Sequence, residues 1–272
     1  MRINQNALAI NAYRNLSATN VTLGKSLEKL ASGFRINRAA DDAAGLVISQ
    51  GLRAQISGLR QATRNAQDGI SVVQTAEGAL NEVHTMLERV RTLAVQAANT
   101  GASSTEARQA LQNEVVQLSE EITRIGQSTK FGSVALLDGT FTASVGVFQV
   151  GANASETITI GIGSIVGGAG AAVGSVDLVS GAAAAITALD GQITAVSTLR
   201  GELGAKQNRF ESVVNNLNVT VENLVASESR IRDTDMAAEM TTFTRNQILS
   251  QAGTAMLAQA NQVPQTVLSL LR

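Results

Sequence analysis

The sequence predicts a mainly α protein: a long antiparallel helical, coiled-coil bundle with a small β-hairpin and its two chain ends paired. Three observations carry this. Apolar residues recur at three- and four-residue spacing over most of the 272 residues. Aromatic residues are only 3% of the chain, with no Trp and one Tyr, and Ala, Val, Ile and Leu supply most of the 44% hydrophobic fraction. That supply suits thin helical seams better than a thick core. The order of element types is also a palindrome: short helix, elbow, long helix, then a hairpin, and back through long helix, elbow and short helix. Folding the chain so that its ends meet gives every long apolar stripe a neighbour.

The first helix is expected from Ile3 to Leu30, where Ile3, Ala7 and Ile10 open a stripe that Leu16, Leu23, Leu27 and Leu30 continue. Its charges are few (Arg2, Arg14, Lys25, Glu28, Lys29), and Asn, Ser and Thr fill the rest. Such a helix gains little by standing alone in water, so it expects a partner. Between Leu27 and Ser49 the helical pattern is interrupted by an elbow. Gly33 can end the first helix in the left-handed conformation, and Asp41 or Asp42 can cap the next. Arg35 and Arg38 are placed to brace those aspartates with charge-assisted hydrogen bonds. A solvated loop with incidental charges fits the same spacing equally well.

The second helix runs from about Ala43 to Asn99 on a stripe that includes Ile48, Leu52, Ile56, Leu59, Ala66, Val73, Leu80, Leu87 and Ala94. At helical rise it is roughly 85 Å long, so either it breaks or the molecule is a rod. A turn at Asn99–Ser103 leads to a third helix, with Ser103 and Glu106 as a capping box and Leu111, Val115, Leu118, Ile122 and Ile125 on one face. Period-two alternation from Phe141 to Ile160, around the polar loop of Gly151 to Glu156, predicts the β-hairpin. Residues 161–181 are Gly, Ala, Val and Ser without either period, and read as a short loop or surface insert. Helix returns from Ala182 to Ala226. A second elbow follows with Arg230, Arg232, Asp233 and Asp235, and a last helix spans Met236 to Leu271 with Leu249, Met256, Leu257, Val263 and Leu271 on its apolar stripes. Pro264, the only proline, removes one of its backbone hydrogen bonds.

Chemistry is scarce. A net charge of −1 with no basic run disfavours nucleic acid as a partner. The absence of Cys removes thiolate sites and disulfides. No window approaches the roughly 18 apolar residues of a membrane span, and the N-terminus has no signal-peptide apolar region. His84 is the only histidine and is read as a solvated surface residue of the long helix. The adjacent Asp41 and Asp42, and Asp233 with Asp235, are helix-start residues before they are an acid–base pair. The glycines near 161–168 match neither GxGxxG nor a P-loop. No catalytic residue, metal site or cofactor is expected.

The stretch LEKLASGFRINRAADDAAGLVISQGLRAQISGLRQATRNAQDGISVVQTAEGAL, the closing SRIRDTDMAAEMTTFTRNQILSQAGTAMLAQANQVPQTVLSLLR and the hairpin FQVGANASETITI together resemble bacterial flagellins. The resemblance spans all but roughly residues 161–185, and it implies a short form that lacks the large outer variable domains. It implies an inner coiled coil from 1–34 and 235–272, a helical shell with spoke-like elbows from 35–140 and 181–234, the hairpin 141–160, and a Gly/Ala-rich stub 161–180 in place of the variable domain. The implied function is a structural subunit that self-assembles into the flagellar filament for swimming. A soluble coiled-coil adhesin or secretion-apparatus tip protein is the alternative. Self-assembly then falls to Leu16, Leu23, Leu27, Leu30, Leu249, Met256, Leu257, Val263 and Leu271. The implied partners are further copies of the chain, an export chaperone and the export apparatus, and the hook–filament junction and filament cap proteins. The implied location is extracellular, reached without a cleaved signal peptide. In relatives sensed by Toll-like receptor 5, the matching contact positions are Arg89, Leu93 and Glu114.

Overall fold

The computed structural model describes residues 6–101, 103–142 and 145–270, with side chains described as far as Val263. The expected starting Ile3 and closing Leu271 therefore lie outside the described residues. Six helices are described: α1 (Ala7–Ser32), α2 (Ala43–Ala98), α3 (Thr105–Ser128), the short α4 (Ala171–Gly174), α5 (Ala182–Arg232) and α6 (Met236–Leu270). Two small antiparallel strand pairs lie between α3 and α4: β1 (Lys130–Phe131) with β2 (Val134–Ala135), and β3 (Gly146–Gln149) with β4 (Thr157–Ile160). The chain divides into two compact units, one of residues 1–54 with 223–272 and one of residues 55–222.

In the second unit, burial follows a strict seven-residue repeat, the spacing that keeps a helical seam facing its partner. Ala66, Val73, Leu80, Leu87 and Ala94 of α2 are buried, as are Leu189, Val196, Leu203 and Phe210 of α5. They join Val115 and Ile122 of α3 and Ile158 and Ile160 of β4 in one core. The helices α2 and α5 run antiparallel, with Arg91 Nε 2.6 Å from Asp190 Oδ1 and Arg200 4.0 Å from Glu77. Phe210 meets Phe148 of the hairpin edge-on, with ring centroids 5.6 Å apart. Its ring occupies the space where a side chain at Gly69 would begin, since a Cβ there would lie 2.8 Å from the ring.

The hairpin pairs Gly146 with Ile160 and Gln149 with Thr157. It is shorter than the alternation suggests, and Val145 and Val147 point to the exposed side while Ile158 and Ile160 enter the core. The pair β1–β2 was not expected, being only two residues per strand around Gly132. Residues 161–181 depart from the expected loop or surface insert. They contain a π-helical turn, Val166–Gly170, and α4, and they bury Ile162, Ile165, Ala169, Val173, Val176 and Leu178. The reason lies on α3, whose polar groups satisfy this segment's backbone. Gln112 donates to the Val176 carbonyl at 2.8 Å and accepts from the Leu178 N–H at 2.7 Å, Arg108 donates to the Val179 carbonyl, and Ser119 donates to the Gly170 carbonyl. A backbone so paired can be buried without loss. The start of α3 is also shifted by one residue from the expected capping box: Ser104, not Ser103, is the N-cap and accepts from the Ala107 N–H.

In the first unit, α1 and α6 lie side by side and antiparallel. Asn6 Nδ2 donates to the Ala260 carbonyl at 2.7 Å, Ser250 Oγ donates to Asn20 Oδ1 at 2.9 Å, and Lys29 lies 3.8 Å from Glu239. The chain ends are thus paired.

Candidate functional site: paired elbows and terminal helices

Gly33 ends α1 with φ of 74°, its N–H donating to the Lys29 carbonyl at 2.8 Å. The left-handed conformation is open to glycine at no steric cost. It turns the chain alongside the second elbow. Phe34 and Asp233 form an antiparallel bridge, the Arg35 N–H donates to the Arg232 carbonyl at 2.6 Å, and the Thr234 N–H donates to the Gly33 carbonyl at 3.0 Å. The two elbows are therefore one junction. It is shorter on the C-terminal side than expected, because α5 continues to Arg232 and α6 begins at Met236.

The two arginines nearest the bridge reach across it. Arg35 donates from its guanidinium to the Ile231 carbonyl at 2.7 Å, and Arg232 Nε donates to the Ile36 carbonyl at 3.3 Å. The Arg232 guanidinium also lies 4.4 Å from the centre of the Phe34 ring, with that of Arg53 at 5.3 Å. Arg53 in turn donates to Glu228 at 2.9 Å. Phe34 was not singled out in the sequence, nor was Ile36, which is fully buried at the elbow. An isolated Phe and Ile in the polar run SGFRINRAAD were the available signal.

The expected bracing of Arg35 and Arg38 against the aspartates is not what forms. Arg38 instead donates its Nε to Glu28 at 2.9 Å. The aspartates serve the backbone. Asp42 accepts from the Gly45 N–H at 2.9 Å and so caps α2, while Asp41 accepts from the N–H groups of Arg38 and Asn37. Those bonds, that of Arg38 foremost, hold the Asp41 carboxyl below the usual aspartate range. On the other side Asp235 caps α6 through the Ala237 and Ala238 N–H groups. The Asp233 side chain is exposed, and Arg230 donates to Ser227 at 3.0 Å on the surface.

The terminal helices present two kinds of surface. Leu16, Leu23 and Leu30 of α1 and Leu257 and Val263 of α6 are half-buried, and Leu16 fills the space above Gly253, where a Cβ would lie 3.1 Å from the leucine. This seam is unusually polar, since Ser26 and Asn246 are buried in it. Leu27, Leu249 and Met256 are exposed instead. On α6, Ile248, Leu249 and Met256 share one outer face with the intervening Ala252, all of them open to solvent.

Of the residues matched to receptor contact, Arg89 is exposed and Glu114 half-buried, and the two are joined at 2.7 Å. Leu93 is 1% exposed and belongs to the core of the second unit, so it offers no surface to a partner. His84 is more sheltered than a solvated residue: its Nε2 lies 3.3 Å from Glu88, and its Nδ1 is buried without a hydrogen-bond partner. Among the described residues no group of three or more His, Cys, Asp or Glu could hold a metal ion, and no helix is long and apolar enough to cross a membrane.

A junction built from backbone pairing and arginine, joined to helices that leave an apolar face uncovered, is the equipment of a protein that assembles. The bacterial flagellin N-terminal helical region matches residues 3–142, and the bacterial flagellin C-terminal helical region matches residues 186–271. The chain is 53% identical to a flagellin of Halalkalibacterium halodurans and 47% identical to a flagellin of Bacillus subtilis, in each case over the whole of both chains. Among solved structures, a putative flagellar hook-associated protein from Vibrio parahaemolyticus shares the fold, with a TM-score of 0.58 at 14% identity over 71% of this chain and all of that one. The chain belongs to the bacterial flagellin family, as a short member of it.

Proposed function

We infer that this protein is the structural subunit of a flagellar filament, assembled from copies of itself for swimming motility. The observation that carries the reading, beside family membership, is the uncovered apolar face of α6 around Ile248, Leu249, Ala252 and Met256, together with Val21 and Leu27 on α1. A monomer rarely leaves such a face open unless another molecule covers it. The occupant is a second copy, since a polymer repeats one contact in every subunit. An adhesin or secretion-apparatus tip protein is not favoured, because the segment between hairpin and α5 is folded into the helical core and provides no distal domain.

The finer parts of the reading are an extracellular location reached without signal cleavage and an export chaperone and apparatus that deliver the chain. They include junction and cap proteins at the filament ends, and recognition by Toll-like receptor 5 through Arg89 and Glu114. Purified protomer that fails to activate receptor-bearing cells would remove the last of these. The assembly reading is tested with Ile248→Asp combined with Leu249→Asp. This variant should keep the helical content of the protomer and lose polymerisation, because each carboxylate adds a desolvation cost to a face that gains stability only by being covered. Long filaments from that double variant, seen by electron microscopy, would mean that the outer face of α6 is not the contact.

A further inference from the structure

We propose that α6 carries an oxidation site that controls assembly, made of the exposed thioethers of Met236, Met240 and Met256. The inference rests on the filament reading above. Without Cys or Trp, the thioethers of five methionines are the side chains of this protein most open to oxygen transfer by a peroxide. Their placement is uneven. Met236, Met240 and Met256 are 46%, 49% and 64% exposed, and all lie on α6. Met86, in the second unit, is only partly exposed and packs against the core. Met240 lines a shallow concavity with Thr241, Thr244, Arg245, Ile248 and Leu249, which places one sulfur among the apolar side chains of the assembly face. Met256 lies two turns beyond Leu249 on the same face.

Hydrogen peroxide transfers one oxygen atom to the sulfur, which loses two electrons, and the peroxide leaves as water. The product is a polar, chiral sulfoxide in place of a flexible apolar tip. In water the sulfoxide is well solvated, so the protomer keeps its fold. On assembly it must be stripped of water against an apolar neighbour, so each oxidised subunit joins poorly. The second unit has no equally exposed sulfur among its described residues, so its helical core is untouched.

The test treats the full-length protomer with hydrogen peroxide, maps oxygen uptake by peptide mass spectrometry, and then measures the critical concentration for polymerisation. Oxygen should appear at Met236, Met240 and Met256 before Met86, helical content should be unchanged, and the critical concentration should rise by roughly tenfold. Methionine sulfoxide reductases acting on both epimers should restore the original value. The combined Met236→Leu, Met240→Leu and Met256→Leu variant, which conserves side-chain volume, should polymerise equally before and after peroxide. Oxidation of Met86 ahead of the α6 methionines would overturn the proposal. So would an oxidised wild type that polymerises at the untreated concentration, or an equal loss in the leucine variant. Untreated protomer that never polymerises would instead refute the filament reading, while the order of oxygen uptake still decides the site.

Discussion

At the level of single residues, the junction depends on Phe34 and Arg232, which lie far apart in the chain and meet only in the fold. Arg232→Ala removes a cation–π contact worth about 0.5–2 kcal/mol and the hydrogen bond to the Ile36 carbonyl. It should make the chain near Arg35 more sensitive to limited proteolysis. Arg232→Lys should rescue this poorly, since a lysine has no planar face to lay on the ring while donating beside it. Phe34 was illegible in the sequence for the same reason: nothing in its own neighbourhood shows that an arginine near the other end of the chain will cover it. A second residue-scale expectation concerns the seam. Gly253→Leu places a side chain where Leu16 already lies, and overpacking of this kind costs roughly 1–3 kcal/mol. Leu16→Ala in the same chain should recover part of that loss, read as amide protection of α1. Equal protection in the single and double variants would show that the two side chains do not share the space. Deep in the second unit, Phe210→Ala should destabilise that unit by about 3–5 kcal/mol in denaturant titration, as a large buried ring is lost from beside Gly69 and Phe148.

At the level of elements, the turn from α1 into α2 is held by a carboxylate that accepts two backbone N–H groups, and acid should loosen it. The pKa of Asp41 is lowered in the folded chain, so its contribution is complete above the ordinary carboxylate value of about 3.9 and is lost as pH falls below that through the depressed value. Exchange of the Asn37 and Arg38 amides should therefore accelerate in that acid range, and Asp41→Asn should exchange faster already at neutral pH. A pH-independent exchange rate at both amides would exclude the carboxylate as their anchor. The elements themselves were largely legible. The three- and four-residue apolar spacing marks α2 and α5, Gly33 marks the end of α1, and the pairs Asp41–Asp42 and Asp233–Asp235 mark helix starts. The sequence is ambiguous where local chemistry is degenerate. Ser103 and Ser104 are adjacent and equally able to cap, and only the backbone path selects Ser104. The Gly- and Ala-rich segment after β4 shows no period because its burial is specified by Gln112, Arg108 and Ser119 on another helix. Arg35 and Arg38 had aspartates nearby in sequence, yet carbonyls of the other elbow and Glu28 were closer in space.

At the level of the molecule, a carboxylate in the core of one compact unit and a pair on the open face of the other should have different effects. Leu80→Asp should unfold the second unit, because a carboxylate would be buried without a partner, whereas the paired aspartates at Ile248 and Leu249 should spare both units. Circular dichroism and sedimentation separate the two outcomes. The terminal helices set a different constraint. The Asn6 to Ala260 hydrogen bond joins residues 254 positions apart, and the whole α1–α6 seam has comparable separations. Contacts of such range require the intervening chain to be collected first, which makes them slow to form and late. In a chain still being synthesised, α1 therefore has no intramolecular mate until α6 has been made, so chronology alone keeps it single until then.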